Sequence, residues 1–175
     1  RVWVLPHPGY SRAYPNWMNR GVARQRLSID QDAFVVGFVG GIRPNKGIEE
    51  LISAFKQLSS PAAAMLIAGQ PWPPEPYVRK IESLAEHDSR IHIWSERIPD
   101  QQLQLYIKAS DILAFPFRHV LTSGSVILAM SFGRPVSVPH IGCLPERVRD
   151  DAGFFYNPGD QAALTSALER SMKSN

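Results

Sequence analysis

The run Phe34-Val35-Val36-Gly37-Phe38-Val39-Gly40 is apolar without interruption, β-branched and aromatic, and ends in glycine. That is the pattern of a strand covered on both faces. The period then changes. Between Gly47 and Leu58 the apolar residues Ile48, Leu51, Ile52, Phe55 and Leu58 recur at helical spacing, with Glu49, Glu50, Lys56 and Gln57 left for solvent. The alternation repeats along the chain. Strands are expected at 64–68, 90–94, 111–116 and 135–138, and helices at 77–86, from Pro99-Asp100 to Ala109, and from about Gly124 to Phe132. A short edge strand near 153–156 and a helix capped by Pro158-Gly159-Asp160, with Ala163, Leu164, Ala167 and Leu168 as its stripe, close the series. The segment Arg1–Pro6 also reads as a strand.

Strands alternating with helices of about ten residues predict βαβ units in a doubly wound, mostly parallel sheet with helices on both faces, a Rossmann-like α/β fold. A length of 175 residues suits one domain, taken as 1–175. Ligands of such sheets bind beyond the carboxyl ends of the strands, so the chemistry is sought in the loops there.

Two loops stand out. Gly40-Gly41-Ile42-Arg43-Pro44-Asn45-Lys46-Gly47 follows the first strand. Its paired glycines admit close backbone approach, Arg43 offers a fork for phosphate oxygens and Lys46 a compact charge at a helix start. Leu121-Thr122-Ser123-Gly124-Ser125 enters a later helix, where the hydroxyls serve either as caps or, with Gly124, as part of a phosphate cradle. On residues alone each loop also reads as an ordinary turn. No Walker-type or dinucleotide glycine fingerprint is present. His119 adjoins the second loop, where it reads either as a catalytic candidate that touches a donor sugar or phosphate, with Arg43 and Lys46, or as a residue with no such role, whereas His87, His92 and His140 lack metal-ligand spacing and no metal site is expected. His7, in Pro6-His7-Pro8-Gly9-Tyr10, reads as an active-site residue or, with no paired acid nearby in sequence, more readily as a structural one, and Trp72 and Trp94 as core or loop packing.

Composition narrows the classes. The net charge of +3 is spread along the chain without a basic run, which suits a phosphate-bearing small molecule and gives no nucleic-acid stripe. The single cysteine, Cys143, excludes an internal disulfide framework and favours a reducing, cytoplasmic setting. No apolar stretch reaches the roughly 20 residues of a membrane-spanning helix.

Four blocks, in order, carry a resemblance: Val39-Gly40-Gly41-Ile42-Arg43-Pro44-Asn45-Lys46-Gly47, Ala109-Ser110-Asp111-Ile112-Leu113-Ala114-Phe115-Pro116, Leu128-Ala129-Met130-Ser131-Phe132-Gly133-Arg134-Pro135-Val136 and Gly142-Cys143-Leu144-Pro145-Glu146. Together they resemble the C-terminal, nucleotide-sugar-binding domain of GT-B glycosyltransferases of the glycogen synthase and mannosyltransferase type. The Thr122-Ser123-Gly124-Ser125 loop is similar to a bacterial exopolysaccharide and capsule subgroup. The resemblance implies a UDP- or GDP-linked sugar as donor and no cofactor or metal. It further implies a saccharide or lipid-linked acceptor held by an N-terminal domain absent from this chain, any membrane attachment belonging to that half, and a fragment inactive by itself. By the same resemblance Lys46 contacts the diphosphate, Arg43 stands in for the family arginine whose place Gly41 takes, and Arg97 and Ile98 meet the base and ribose. Glu146 is placed at the sugar or ribose, or at a helix start. The family's two glutamates fall at Val120 and Leu128, so retention of configuration is not implied. Two rivals remain: a non-catalytic interaction domain with a decayed site, and a flavodoxin-like receiver, for which the acidic cluster at strand ends is reduced to Asp111, at a strand's start.

Overall fold

The computed structural model describes residues 7–72 and 75–174, so the strand expected at Arg1–Pro6 lies outside the described residues. The strands are β1 (Phe34–Val39), β2 (Ala63–Ala68), β3 (Ile91–Trp94), β4 (Ile112–Ala114), β5 (Val136–Pro139) and β6 (Gly153–Tyr156). All pairings are parallel and the order is β3-β2-β1-β4-β5-β6. The doubly wound sheet expected from the alternation is therefore present. Its direction of winding reverses between β1 and β4, and the crevice of such a sheet opens at that point, beyond the strands' carboxyl ends.

The helices are α1 (Arg20–Arg26), α2 (Ile48–Lys56), α3 (Glu75–Ala85), α4 (Leu103–Ala109), α5 (Gly124–Ser131), α6 (Leu144–Arg147) and α7 (Gln161–Lys173). Every residue of β2 is buried, as its unbroken apolar sequence requires, and α2 buries Ile48, Leu51, Ile52 and Phe55 while carrying Glu49 and Glu50 in its first turn. α2 packs on α3 and α7, and α1 on α4. Among the described residues no helix is long and apolar enough to cross a membrane.

Three elements differ from the sequence reading. The start expected at Pro99-Asp100 is a 3-10 turn (Asp100–Gln102) that leads into α4, and β4 is shorter than the six residues expected. α1 has no counterpart in the reading, because its sequence RGVARQR lacks an apolar stripe. It buries Arg24 completely. Asn19 was the signal available, since its side chain accepts from the N–H of Val22 as the helix cap.

Asp111 closes this end of the sheet. Its carboxylate takes Arg24 at 2.6 Å, the N–H of Val35 at 2.7 Å and Arg20 at 3.0 Å. The remaining Arg24 nitrogens donate to the carbonyls of Ala109, Gln31 and Ala33. A carboxylate fixed in this way at the amino end of β4 is a structural anchor.

Candidate functional site

Both loops singled out in the sequence reach the crevice, and they touch. The first runs from β1 through a 3-10 turn, Pro44–Lys46, into α2. Gly47 joins the two with φ 68°, the left-handed region, and a Cβ there would lie 1.9 Å from the carbonyl oxygen of Pro116. Only glycine allows this close approach. The backbone N–H of Arg118 donates to the Asn45 carbonyl at 3.2 Å, so the loop after β1 is tied to the loop after β4. Deeper in the crevice, a Cβ on Gly40 would lie 3.1 Å from the Ser125 hydroxyl.

Lys46 is half-buried, with Nζ 4.5 Å from the centroid of the Phe117 ring, and it forms no ion pair with a described carboxylate. Burial, reinforced by the nearby Arg43 charge, lowers its pKa from the ordinary lysine value. Arg43 is exposed, and its side chain folds back so that Nε lies 3.2 Å from where a Cβ on Gly41 would stand. The guanidinium group thus covers the place of a side chain at position 41. Arg118, by contrast, is engaged. It reaches Glu50 at 2.7 Å and Glu49 at 3.4 Å, Glu49 also accepts from Tyr77, and the group braces the β4–α5 loop against α2.

The helix starts differ. α2 opens on Glu49 and Glu50, which answer its positive end with their own charges. α5 has no acid in its first turn. Its cap is Ser123, whose hydroxyl accepts from the N–H of Val126, so the capping reading holds for Ser123. The N–H groups of Gly124 and Ser125 donate to no described group. Thr122 is exposed and caps nothing.

Beside Gly40 a crevice of about 240 Å³ is lined by Val39, Ala68, Gly69, Gln70, Arg97, Ile98, Leu103, Ser125 and Leu128. Arg97 and Ile98 are therefore brought to the same crevice as the first loop. Gly69 and Gln70 were missed by the sequence reading, although a glycine at the carboxyl end of β2 was the available signal. Gly69 has φ 157°, and a Cβ there would lie 1.8 Å from the Gly40 carbonyl oxygen. His119 is exposed and lines a shallow basin of about 500 Å³ with Arg118, Val120, Leu121 and Ile141. Glu146 is exposed in the first turn of α6, where its side chain forms no hydrogen bond to a described residue. Trp94 packs by its edge against Tyr106, as expected of a packing residue, whereas Trp72 is 62% exposed and packs in no core. Its backbone N–H donates to Ile42, which holds the loop after β2 beside the first loop.

With this geometry in place, the sequence model described as "Glycosyl transferases group 1" matches residues 33–174. The chain belongs to that family. Among curated relatives it is 28% identical over 132 residues to a GDP-mannose:glycolipid 4-beta-D-mannosyltransferase of Xanthomonas campestris pv. campestris, covering 74% of this chain and 38% of the relative. It is 31% identical over 157 residues to a D-inositol 3-phosphate glycosyltransferase of Segniliparus rotundus, covering 86% of this chain and 34% of that one. The chain thus spans well under half the length of these relatives. Among solved structures, sucrose-phosphate synthase from Thermosynechococcus elongatus superposes with a TM-score of 0.77 at 26% identity, covering 89% of this chain and 40% of the other. Anabaena HepE in complex with UDP and glucose superposes with a TM-score of 0.76 at 22% identity, covering 87% and 42%. The C-terminal domain of a group 1 glycosyl transferase (LpcC) from Francisella tularensis gives 0.75 at 20% identity, covering 93% and 87%. The fold of the chain is the Rossmann-like C-terminal half of a GT-B glycosyltransferase.

Proposed function

We propose that this chain binds a nucleoside diphosphate sugar and serves as the donor half of a glycosyltransferase whose acceptor, a saccharide or a lipid-linked saccharide, is held by further parts of the enzyme. The observation that carries the reading is that one loop holds an unpaired, half-buried Lys46 and, at Gly40, meets Ser125 at the start of α5, where two N–H groups are free. Anions are favoured where a helix presents unsatisfied N–H groups beside a desolvated cation. The diphosphate lies across the Gly40–Gly47 loop and Gly124-Ser125. Arg43, folded over Gly41, is the third positive group and fills the role of an arginine at position 41. Base and ribose occupy the crevice lined by Gln70, Arg97, Ile98 and Leu128, and the sugar faces the basin of His119. Glu146 remains a candidate for the sugar or ribose hydroxyls, with Thr122 at the rim. Relatives named for GDP-mannose and a neighbour crystallised with UDP-glucose support a nucleotide-sugar donor.

In the reaction the bond between the anomeric carbon and the diphosphate oxygen breaks, and the electron pair leaves with the diphosphate. An acceptor hydroxyl oxygen forms the new bond and gives up its proton to a base. The leaving group gains negative charge as this happens. Preorganised cations and N–H groups stabilise that charge more than the charge of the bound donor. Arg43, Lys46 and the start of α5 supply such groups without recourse to a metal ion. Val120 and Leu128 stand where the resemblance puts the family's two glutamates and bring no carboxylate there, and the part assigned to this half is leaving-group stabilisation.

Calorimetric titration of the chain with UDP, GDP and ADP tests the reading. One of the three diphosphates binds, and Lys46→Ala or Arg43→Ala weakens it by about 1.5–3 kcal/mol, the scale of a hydrogen bond to a charged group. The chain by itself transfers no sugar. No binding of any of the three at millimolar concentration overturns the proposal.

A further inference from the structure

Residues 7–14 lie against α5 without belonging to the sheet. The N–H of Tyr10 donates to the Ser131 hydroxyl at 2.9 Å, and the Tyr10 ring meets the ring of Tyr14 edge-on at 5.5 Å. On its other side it meets the His7 imidazole at 5.3 Å, also edge-on. These contacts hold the ring along α5 so that its hydroxyl projects over the first turn of the helix. A Cβ on Gly124 would lie 3.2 Å from the Tyr10 oxygen and 4.0 Å from His7 Nε2. Gly124 is also one of the two residues whose N–H is free to meet an anion.

The hydrogen bonds fix which way the protons point. His7 Nδ1 lies 2.9 Å from the Pro8 carbonyl oxygen, which can only accept, so Nδ1 carries the proton. In the neutral ring Nε2 then accepts, and the Tyr10 hydroxyl donates to it at 3.2 Å. That is a long bond for a hydroxyl donor, whose usual heavy-atom distance is about 2.7–2.8 Å. The hydroxyl rotates about its own C–O bond at little cost. A phosphate oxygen arriving at Gly124 is a charged acceptor and outcompetes a neutral imidazole nitrogen for it.

We propose that Tyr10 is a donor-binding residue of this site: its hydroxyl turns from His7 to an oxygen of the distal phosphate of the nucleoside diphosphate, seated on Gly124 and Ser125, and His7 is the positioning residue that holds the tyrosine over the helix start. The inference rests on the donor-site reading above. It adds to the glycine loop and the helix start a third wall, supplied by a segment remote from both in sequence.

The test is calorimetric titration of the chain and of Tyr10→Phe and His7→Ala with two probes, the nucleoside diphosphate that binds the unaltered chain and its monophosphate. Tyr10→Phe keeps both ring contacts and removes one oxygen. The expected result is a diphosphate affinity weakened about tenfold, a loss at least threefold smaller for the monophosphate, and an unchanged melting temperature. His7→Ala weakens the diphosphate in the same sense but by less. A Tyr10→Phe variant that binds the diphosphate within twofold of the unaltered chain overturns the inference and leaves the donor site standing. Equal loss for both probes overturns it as well, since the distal phosphate is then not what the hydroxyl contacts. If the unaltered chain binds no diphosphate, the donor-site reading fails and this inference fails with it.

Discussion

The two ends of the parallel sheet hold their charges in opposite ways. At the amino end of β4, Asp111 and Arg24 are buried together, with 3% and 0% of their side chains exposed. Each of their polar atoms meets a partner in Arg20, Val35 or the surrounding carbonyls. At the carboxyl end, Lys46 is half-buried with a phenylalanine ring and a like-charged arginine for neighbours, and the N–H groups of Gly124 and Ser125 are unused. A closed set of charges holds a fold together because breaking it leaves an ion stranded. An open set costs stability until a ligand completes it, which is why the carboxyl end is the one proposed to bind the donor.

The contrast breaks most sharply at Asp111. Asp111→Ala leaves the fully buried Arg24 guanidinium without its anion, and removing one partner of a buried pair costs about 3–5 kcal/mol. Urea unfolding of the variant should show an unfolding free energy lowered by that amount while any folded fraction still binds nucleoside diphosphate. If the loss is under about 1 kcal/mol, solvent reaches Arg24 in solution and the closed description of this end is wrong.

Gly47 lies between the two cases, because it is a structural residue within the binding loop. Gly47→Ala combines a left-handed backbone, costing about 1–2 kcal/mol for a residue with a Cβ, with a contact on the Pro116 carbonyl that cannot persist. The loop after β1 must therefore move away from the loop after β4. Stability should fall by at least about 1 kcal/mol, and diphosphate affinity should fall with it, both readable from one set of titrations and melts. Full affinity in a destabilised variant would show that the two loops need not touch to bind.

Which of these ends the sequence disclosed follows from how each is built. Unbroken apolar runs such as Phe34–Val39 and a clear helical stripe such as Ile48 to Phe55 are local signals, so the sheet, its direction and the loop at its switch point were legible. The Asp111 network was not, since Arg24 sits in a polar helix and its burial depends on carbonyls and a carboxylate far away in sequence. Within the candidate site, the loops that carry Arg43, Lys46, Ser123 and Gly124 were legible because they follow strands. Gly69 and Gln70 were not, for they reach the crevice only through strand order, and Tyr10 was not, for it meets the start of α5 only through the path of residues 7–14. The way the Arg43 side chain folds over Gly41 is likewise visible only in three dimensions.

The smallest expected effect is the most direct measure of the open end. Burial lowers the Lys46 pKa from its ordinary 10.5, so between the folded and the unfolded values the folded chain binds fewer protons than the unfolded chain. Stability contributed at this position therefore rises as pH climbs through that window towards 10.5, and at neutral pH the charged lysine is a net cost. Lys46→Met removes the charge and keeps the contact with Phe117. Its stability at pH 7 should lie within about 0.5 kcal/mol of the parent or slightly above it, and the upward slope at alkaline pH should disappear. A diphosphate reverses the sense, because its charge favours the ammonium, so affinity in the parent should fall as pH rises through the same window and should be lower and flatter in the methionine variant. Melting curves from pH 7 to pH 10, with and without UDP, separate the outcomes. A methionine variant clearly less stable than the parent at pH 7 would mean that Lys46 has an anionic partner within the chain and that this end of the sheet is closed as well.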